Sequence, residues 1–382
     1  MTSVATFSGR DVLSGEGKTL HLRDGRIAAV TRCDEADLPL LSPGFVDLQV
    51  NGFGGHDLND GRLTPEAVEA LCKALVKVGV AAFLPTLITA SEAALCQRLS
   101  AIRRAQETLP LAGKMIAGIH VEGPSISPKD GPRGAHPLAH VRPPATEEFA
   151  RWQDAAGGLV RMVTLAPETA GATAYIKALA DRGICVALGH CDATEEDIAR
   201  AVAAGARMST HLGNGIAATL PRHPNAIWAQ LSDDRLTASL ILDGHHLSRA
   251  TARAMIRSKG DERVVLVSDS VKFAGMAPGR YQSPIGGDVE VSDCGQVAIA
   301  GTEYLAGSGA CLLDIVCGYQ AFTGFPAADA LRMATVNPAR MIGRDLALSP
   351  GAPANFLLFQ GAAADGRLLP AEIVFDGVSV RS

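Results

Sequence analysis

Short, continuously apolar runs recur along the chain, and stretches with helical periodicity separate them. Continuous apolarity, rather than alternation of apolar and polar residues, is typical of strands that are covered on both faces, as in a parallel sheet. Repeated strand-then-helix units favour an α/β fold, a (β/α)8 TIM barrel, which we assign to residues 44–346. The eight predicted strands are FVDLQVNG (45–52), VAAFLPTL (80–87), MIAGIHVEG (115–123), LVRMVTLAPE (159–168), ICVALGH (184–190), RMSTHLGN (207–214), LTASLILDG (236–244) and RVVLVSDS (263–270).

Helix boundaries between these runs are marked by capping residues. Thr64 and Pro65 open the segment TPEAVEALCKALVKVG, which ends at Gly79; threonine suits the N-cap, proline the first turn and glycine the end of a helix. Thr194 and Asp197 predict a capping box at the start of TEEDIARAVAAG. These signals support helices between the predicted strands.

The two ends of the chain have a different pattern. Residues 1–43 and 347–382 contain short β-like runs broken by glycine and aspartate, with RDG and FDG as turn signals. We predict that both ends together form one small β-sandwich beside the barrel.

Composition and charge exclude several classes of protein. The chain has 382 residues, 47% of them hydrophobic, and a formal net charge of −5, so it can bury a large aliphatic core. It has no basic run that would neutralise a row of phosphates, and no stretch of about 18 uninterrupted apolar residues. We therefore expect neither a nucleic acid nor a membrane as partner, and a cytoplasmic location. The eight cysteines include no C-x-x-C pair, which favours buried free thiols over disulfides.

Ionisable residues collect where the predicted strands end. In a barrel of this type the chemistry lies at the carboxyl ends of the strands. Glu122, His190 and His211 end three of the runs and supply one carboxylate and two imidazoles, an open ligand set for Zn²⁺ or a similar divalent ion. The other polar residues at these ends are His120, Asp243, His245, His246 and Asp269.

A single histidine at a strand end is more often a hydrogen-bonded structural residue than a metal ligand. Several histidine-rich ends together with an acidic end of the eighth strand make that structural explanation much weaker, because apolar strands rarely collect ionisable groups without a use.

At these residues the chain resembles a known family. The segments LSPGFVDLQVNGFGG, GIHVEGP, RGAHP, LGHCDAT, STHLGNG, LILDGHHL, VSDS, LAGS and MATVNPARMIG occur in the order found in N-acetylglucosamine-6-phosphate deacetylases of the amidohydrolase superfamily. The resemblance covers nearly the whole chain, and it implies the same barrel with a terminal β-sandwich. HVEGP, GHCDAT and THLGN are the specific motifs, whereas NPARMIG is shared across the superfamily.

The resemblance bears on the end of the first strand, where many amidohydrolases bind a second metal through H-x-H. This chain has Gln49 and Asn51 there, as in the branch that it resembles, which implies a single divalent ion per chain. Zn²⁺ is the first choice, and Fe²⁺, Co²⁺ and Mn²⁺ suit the same ligands. Glu122 takes the place of the bridging lysine of binuclear relatives.

The resemblance also implies roles for other residues. Asp269 matches the catalytic aspartate, which takes a proton from water and later delivers one to the amine. His136, in RGAHP, matches a histidine that polarises the acetamide carbonyl, and His246 matches one that contacts the sugar, with His245 as the alternative. The residues expected to line the sugar pocket are Ala135, Asn214, Gly215, Leu305, Ala306, Gly307 and Ser308.

The chain departs from the family after the sixth strand. The usual H-L-F-N-A/Q-M, followed by a phosphate-binding arginine, is replaced by HLGNGIAATLPRHPNAIW, which leaves Arg222 and His223 as the nearby cations. Arg222 is the candidate for binding the phosphate of the substrate, and an unphosphorylated sugar is the alternative substrate.

The resulting hypothesis is a metal-dependent deacetylase that acts on an N-acetyl amino sugar. N-acetylglucosamine 6-phosphate is the preferred candidate substrate, and the expected assembly is a homodimer. Another amidohydrolase activity, on a different N-acyl sugar, a formyl group or a cyclic amide, is the alternative among enzymes. A non-catalytic sugar-binding barrel is the alternative outside them, and the combination of Glu122, His190, His211 and Asp269 argues against it.

Overall fold

Eight parallel strands follow one another around a nearly closed barrel in chain order. The computed structural model describes residues 5–283, 287–302, 304–361 and 363–380. The last strand meets the first through a hydrogen bond from the Asp269 backbone N–H to the Gln49 carbonyl, at 2.9 Å, and the predicted (β/α)8 fold is confirmed. The barrel strands are Phe45–Val50, Val80–Ile88, Ile119–Glu122, Val160–Leu165, Cys185–Leu188, Met208–Ser209, Thr237–Leu240 and Val264–Leu266.

Helices cover the outside of this barrel. The predicted helix starts are confirmed: Thr64 caps the first helix, and Thr194 and Asp197 form a complete capping box. The α-helices among the described residues are Pro65–Val76, Glu92–Thr108, Pro110–Met115, Thr146–Ala156, Ala172–Ala180, Glu195–Ala204, Ala226–Ser232, Arg249–Lys259, Leu312–Thr323, Ala327–Met333 and Val336–Met341. None of them is long and apolar enough to cross a bilayer.

The barrel interior is a packed core, not a channel. Apolar side chains from the strands meet inside it, because alternate residues of each strand point inward. They include Val46, Leu48, Ala82, Leu84, Met162, Ala187, Met208, Ile241, Val265 and Val267. This plug closes the amino-terminal side, so that a ligand can enter only above the carboxyl ends of the strands.

Both ends of the chain join one seven-stranded sheet. Strand Leu40–Pro43 pairs antiparallel with strand Phe356–Gln360, and this pairing connects the N-terminal and C-terminal parts. The other strands are Ala5–Asp11, Gly17–Arg23, Arg26–Arg32, Leu369–Phe375 and Val378–Ser379. The sheet packs around a hydrophobic cluster of its own, which includes Leu20, Ile27 and Phe356. Residues 1–4, 362 and 381–382 of the predicted terminal segments lie outside the described residues.

Two small sheets lie at the open end of the barrel. The sequence patterns did not indicate either of them. A short hairpin, Gly52–Phe53 with His56–Asp57, follows the first barrel strand. A three-stranded antiparallel sheet, Gly279–Ser283, Gly287–Val291 and Val297–Ile299, follows the eighth. Both lie on the side where the polar strand ends meet.

None of the eight cysteines forms a disulfide, which agrees with the expectation of thiols. Cys294 is exposed, so the expectation of burial is wrong for that residue. It lies in the turn before the last strand of the three-stranded sheet, a region that had not been recognised as β structure.

Candidate active site

A cavity of about 340 Å³ opens above the carboxyl ends of the barrel strands. Residues from the ends of the first, second, third, fifth, sixth, seventh and eighth strands line it, which is the arrangement expected of a barrel enzyme. The polar lining residues are Asn51, Asp57, Asn59, Glu122, His136, His190, His211, Asn214, His246, Asp269, Lys272 and Tyr304.

Three buried side chains at the floor of the cavity point their donor atoms at one another. Oε1 of Glu122 lies 3.2 Å from Nε2 of His190 and 3.1 Å from Nε2 of His211, and the two Nε2 atoms are 3.1 Å apart. Zinc bonds of about 2.0–2.2 Å to nitrogen and oxygen require donor atoms at about this separation around a tetrahedral ion. The donor set therefore fits one divalent metal ion.

Neighbouring groups fix these three side chains. His190 donates from Nδ1 to the Pro132 carbonyl at 2.9 Å, which leaves its Nε2 lone pair for a metal. Gln49 donates from Nε2 to Oε1 of Glu122 at 3.1 Å. The His211 backbone N–H donates to Oγ of Ser239 at 2.7 Å.

The backbone at the strand ends is unusual. His190, His211 and Asp269 have φ angles of 50°, 28° and 48°, and they are three of the five described non-glycine residues with positive φ. Such conformations are costly for residues with a Cβ, and they concentrate at functional sites where the surrounding structure enforces them. Each places a side chain over the barrel mouth rather than along the strand.

A fourth ionisable side chain, His136, lies beside the three at the floor of the cavity. Its ring centroid is 4.3 Å from that of His190, and Nδ1 is 2.8 Å from Oγ1 of Thr89. Donor atoms of Glu122, His136 and His190 all lie within 4.8 Å of one another. The shorter separations favour Glu122, His190 and His211 as the ligands, and they leave His136 facing the cavity beside them. Burial and the adjacent His190 lower the pKa of His136 to about 3, so its ring is neutral near neutral pH.

The pKa values of the two buried carboxylates are shifted in opposite directions. Burial alone raises the pKa of Glu122, but the adjacent His190 and His211 side chains hold it well below its usual value. Burial raises the pKa of Asp269 to about 6, and the negative charge of Glu122 adds to this effect. One carboxylate is therefore held ionised, and the other has a pKa suited to exchanging protons near neutrality.

Asp269 is fixed from two directions. Asn51 donates from Nδ2 to its Oδ1 at 2.7 Å, and its carbonyl accepts from the Ser308 backbone N–H at 3.1 Å. Gln49 and Asn51 thus hydrogen bond to two different carboxylates of the site. In this position their amide N–H groups face acidic oxygens, and the H-x-H ligand pair of a second metal is absent.

The two histidines after the seventh strand point in different directions. His246 lines the cavity, and its Nδ1 is 2.7 Å from Oδ2 of Asp243, which also accepts from Oγ of Ser308 at 3.1 Å. His245 faces away, with Nε2 at 3.3 Å from the Cys294 carbonyl. The geometry therefore offers His246, not His245, to a ligand in the cavity.

Most other residues predicted for the sugar pocket lie in the cavity wall, namely Ala135, Asn214, Gly215, Leu305, Ala306 and Gly307. Ser308 is buried behind the wall against Asp243. Arg222 is exposed on the loop between Gly213 and Asn225 and does not line the cavity of its own chain. His223 lies on the same loop and lines a separate surface pocket together with Trp228.

Sequence reasoning missed several residues of the wall, among them Asp57, Asn59, Lys272 and Phe273. Asp57 ends the short hairpin after the first strand and Asn59 follows it, and Lys272 and Phe273 follow the eighth strand. The position of Lys272, three residues after Asp269, is the signal that could have identified it.

Comparison with known proteins agrees with this geometry. The model of the amidohydrolase family matches residues 40–380. The N-acetylglucosamine-6-phosphate deacetylase of Bacillus subtilis is 32% identical over 84% of this chain and 83% of its own length. The N-acetylgalactosamine-6-phosphate deacetylase of Escherichia coli O157:H7 is 34% identical over 88% of this chain and 89% of its own.

A solved structure extends the likeness to the whole fold. A mutant of the N-acetyl-D-glucosamine-6-phosphate deacetylase of Mycobacterium smegmatis, in complex with N-acetyl-D-glucosamine-6-phosphate, superposes with a TM-score of 0.86 at 31% identity and covers 100% of both chains. Together with the family match and the relatives, this places the chain in the N-acetylglucosamine-6-phosphate deacetylase family of the amidohydrolases.

Proposed function

We propose that the chain hydrolyses the acetamide of an N-acetyl amino sugar 6-phosphate to acetate and the amino sugar phosphate. N-acetylglucosamine 6-phosphate is the first substrate to test, since it is the substrate named for most of the relatives. Its galacto epimer is the second, because the Escherichia coli relative named for that sugar is as similar to the chain as the others.

The observation that carries this proposal is the convergence of five side chains on one cavity. Glu122, His190 and His211 bring their donor atoms within 3.2 Å of one another, and Asp269 and His136 face the same space. An amide hydrolase needs an activated water, a group that stabilises the oxyanion and a proton for the leaving nitrogen. This cluster can supply all three.

Glu122, His190 and His211 would hold one divalent ion, whose Lewis-acid chemistry makes water a stronger nucleophile near neutral pH. Asp269 accepts a proton from the attacking water while the water oxygen forms a bond to the acetamide carbon. The C–N bond then breaks, and Asp269 returns the proton to the nitrogen, which leaves as the amine. His136, if Nδ1 accepts from Thr89, donates from Nε2 to the carbonyl oxygen as negative charge develops there.

The remaining parts of the proposal concern the ion, the assembly and the compartment. Zn²⁺ is the proposed ion, with Fe²⁺, Co²⁺ and Mn²⁺ as alternatives for the same donors. A homodimer would cover the loop that carries Arg222, where the nearby Trp228 side chain is 55% exposed, and could bring Arg222 to the phosphate of the partner's substrate. Eight cysteines without a disulfide suit the reducing cytoplasm, which is the proposed location.

An amine-release assay on purified protein tests the proposal. The panel contains N-acetylglucosamine 6-phosphate, N-acetylgalactosamine 6-phosphate, both sugars without phosphate, and the N-formyl analogue. We expect turnover of a phosphorylated N-acetyl sugar that a chelator abolishes and a divalent metal restores. Preference for the N-formyl sugar would favour deformylation. Absence of turnover across the panel in metal-loaded protein would contradict the proposal and favour a cyclic amidase or a binding protein.

A further inference from the structure

The cavity wall contains an ion pair that the proposed mechanism does not use. Asp57 ends the short hairpin after the first barrel strand, and Lys272 follows the eighth strand; both line the catalytic cavity. Nζ of Lys272 lies 3.7 Å from Oδ2 of Asp57, and the side chains are 20% and 17% exposed. The pair therefore faces the space where substrate would sit, between the first and eighth strands.

The backbone holds these two segments closely together. The Gly55 N–H donates to the Lys272 carbonyl at 2.7 Å, and the Gly52 N–H donates to the Ser270 carbonyl at 3.0 Å. A Cβ on Gly52 would lie 2.9 Å from the Lys272 nitrogen, so that only glycine allows this approach. Asp57 is itself anchored, because its Oδ1 accepts from the Asn59 N–H at 2.8 Å.

The pair has unused hydrogen-bonding capacity. A separation of 3.7 Å is too long for a hydrogen bond, whereas the exposed pair Lys177–Asp181 closes to 2.9 Å. Among the described residues, the Lys272 ammonium makes no hydrogen bond and lies 5.0 Å from the centre of the Phe273 ring. Three donors of Lys272 and the free oxygen of Asp57 are thus available to a ligand.

The charges decide which ligand suits the pair. An anionic group would gain from Lys272 but would meet the carboxylate of Asp57 and, deeper in the cavity, those of Glu122 and Asp269. A neutral hydroxyl avoids this repulsion, because its oxygen accepts from the ammonium while its hydrogen is donated to the carboxylate. At this separation one oxygen atom placed beside the pair lies within hydrogen-bonding distance of both groups.

We propose that Asp57 and Lys272 recognise a ring hydroxyl of the sugar and contribute to substrate specificity. This inference rests on the proposed function. With the acetamide on C2 at the metal site and phosphate on C6, the hydroxyls left for recognition are those on C1, C3 and C4. The pair would thereby orient the ring so that the acetamide reaches His136 and Asp269, while a separate group binds the phosphate.

The test combines variants of the pair with substrates that lack one hydroxyl. Lys272→Met and Asp57→Asn remove the ammonium and the carboxylate charge, and Lys177→Met removes a lysine of an exposed ion pair as a matched control. Each is assayed on the preferred sugar phosphate and on its 1-deoxy, 3-deoxy and 4-deoxy analogues. Metal content and melting temperature check that each variant is folded.

We expect Lys272→Met to lower kcat/KM on the complete substrate about 10- to 100-fold, the range for a hydrogen bond to a charged group. For one of the deoxy analogues, the kcat/KM of wild type should fall by a similar factor relative to the complete substrate. The kcat/KM of Lys272→Met should be nearly the same on that analogue as on the complete substrate, because the variant has already lost the contact. Lys177→Met should match wild type throughout.

If Lys272→Met lowered kcat/KM relative to wild type by the same factor on every deoxy analogue as on the complete substrate, the inference would be overturned and the pair would have a structural role. A loss confined to phosphorylated sugars would also overturn it, since Lys272 would then bind the phosphate. The proposed function fails separately, if wild type turns over none of the N-acetyl sugars.

Discussion

Nδ2 of Asn51 donates a hydrogen bond to Oδ1 of Asp269 at 2.7 Å. Two residues earlier, Gln49 makes the equivalent contact with Glu122, at 3.1 Å. Amide side chains at the end of the first strand therefore orient one carboxylate assigned to metal binding and one assigned to proton transfer. The same positions carry the ligands of a second metal in many amidohydrolases, so their amides are consistent with the single ion proposed for this chain.

Replacing Asn51 with leucine should lower kcat about tenfold or more and leave metal content near that of wild type. Asp269 would lose the donor that orients it, and a hydrogen bond to a charged group contributes about 1.5–3 kcal/mol. Steady-state kinetics and metal analysis of the same preparation measure the two effects. Loss of the metal, or an unchanged kcat, would contradict this role.

Asp269→Asn keeps the size and most hydrogen bonds of the side chain but cannot accept a proton. We expect kcat to fall by about 10² to 10⁴ while metal content stays near normal. If the carboxylate were only structural, the melting temperature would fall and turnover would persist. A metal-loaded Asn variant with wild-type turnover would assign the base to another residue.

Metal analysis should find about one divalent ion per chain, because amide side chains are poor ligands for a second transition metal. His190→Ala and His211→Ala should each remove most of the metal together with the activity. His245→Ala is the matched control, since that ring faces away from the cavity. Two tightly bound ions per chain would exclude the mononuclear site.

Arg222→Ala tests the phosphate assignment. If Arg222 binds the phosphate, from its own chain or across a dimer, the variant should lose about 1.5–3 kcal/mol in kcat/KM for the phosphorylated sugar. The kcat/KM for the unphosphorylated sugar should hardly change. Arg23→Ala removes another exposed arginine and should change neither value. Equal kinetics of Arg222→Ala and wild type on the phosphorylated sugar would show that the phosphate is bound elsewhere.

Asp47 should make stability depend on pH. Burial raises the pKa of its carboxyl to about 7, and Oδ2 has no hydrogen-bond partner among the described residues. Below pH 4 the side chain is protonated in both folded and unfolded chains, and no stability is lost. As pH rises from 4 to 7 the unfolded chain ionises first, so the folded state loses stability, at most about 4 kcal/mol.

Asp47→Asn should remove this dependence, because the amide does not ionise and can still accept from the Gln49 and Ser268 N–H groups. We expect the melting temperature of the variant, relative to wild type, to rise by a few degrees between pH 5 and pH 8. Differential scanning calorimetry at both pH values measures it. A difference that is the same at both would disprove the raised pKa.

The positions that could be predicted from the sequence are those fixed by local pattern. Glu122, His190 and His211 end apolar runs, and the barrel geometry brings the carboxyl ends of its strands together independently of the length and conformation of the loops. Asp57 and Lys272 could not be predicted as a pair, because a short hairpin and an irregular segment carry them and only a contact across the first and eighth strands joins them. The three-stranded sheet that begins at Gly279 likewise depends on pairing between segments of only three to five residues.

The contacts of Gln49 and Asn51 lie between these cases. The sequence identifies both as unsuited to a second metal, but it does not tell which carboxylates their amides contact. That choice depends on how far the first strand extends relative to the third and eighth, a register that only the folded barrel defines.

The seven-stranded terminal sheet has a consequence for how the protein is made. Strand Leu40–Pro43 finds its antiparallel neighbour in Phe356–Gln360, which a ribosome synthesises more than three hundred residues later. Until then the N-terminal strands expose an open edge and the apolar side chains of Leu20, Leu41 and their neighbours, so nascent chains should need protection from association with one another. The sheet closes only near the end of synthesis, and premature termination before Phe356 should yield an aggregating chain even though every residue of the catalytic cluster has been made.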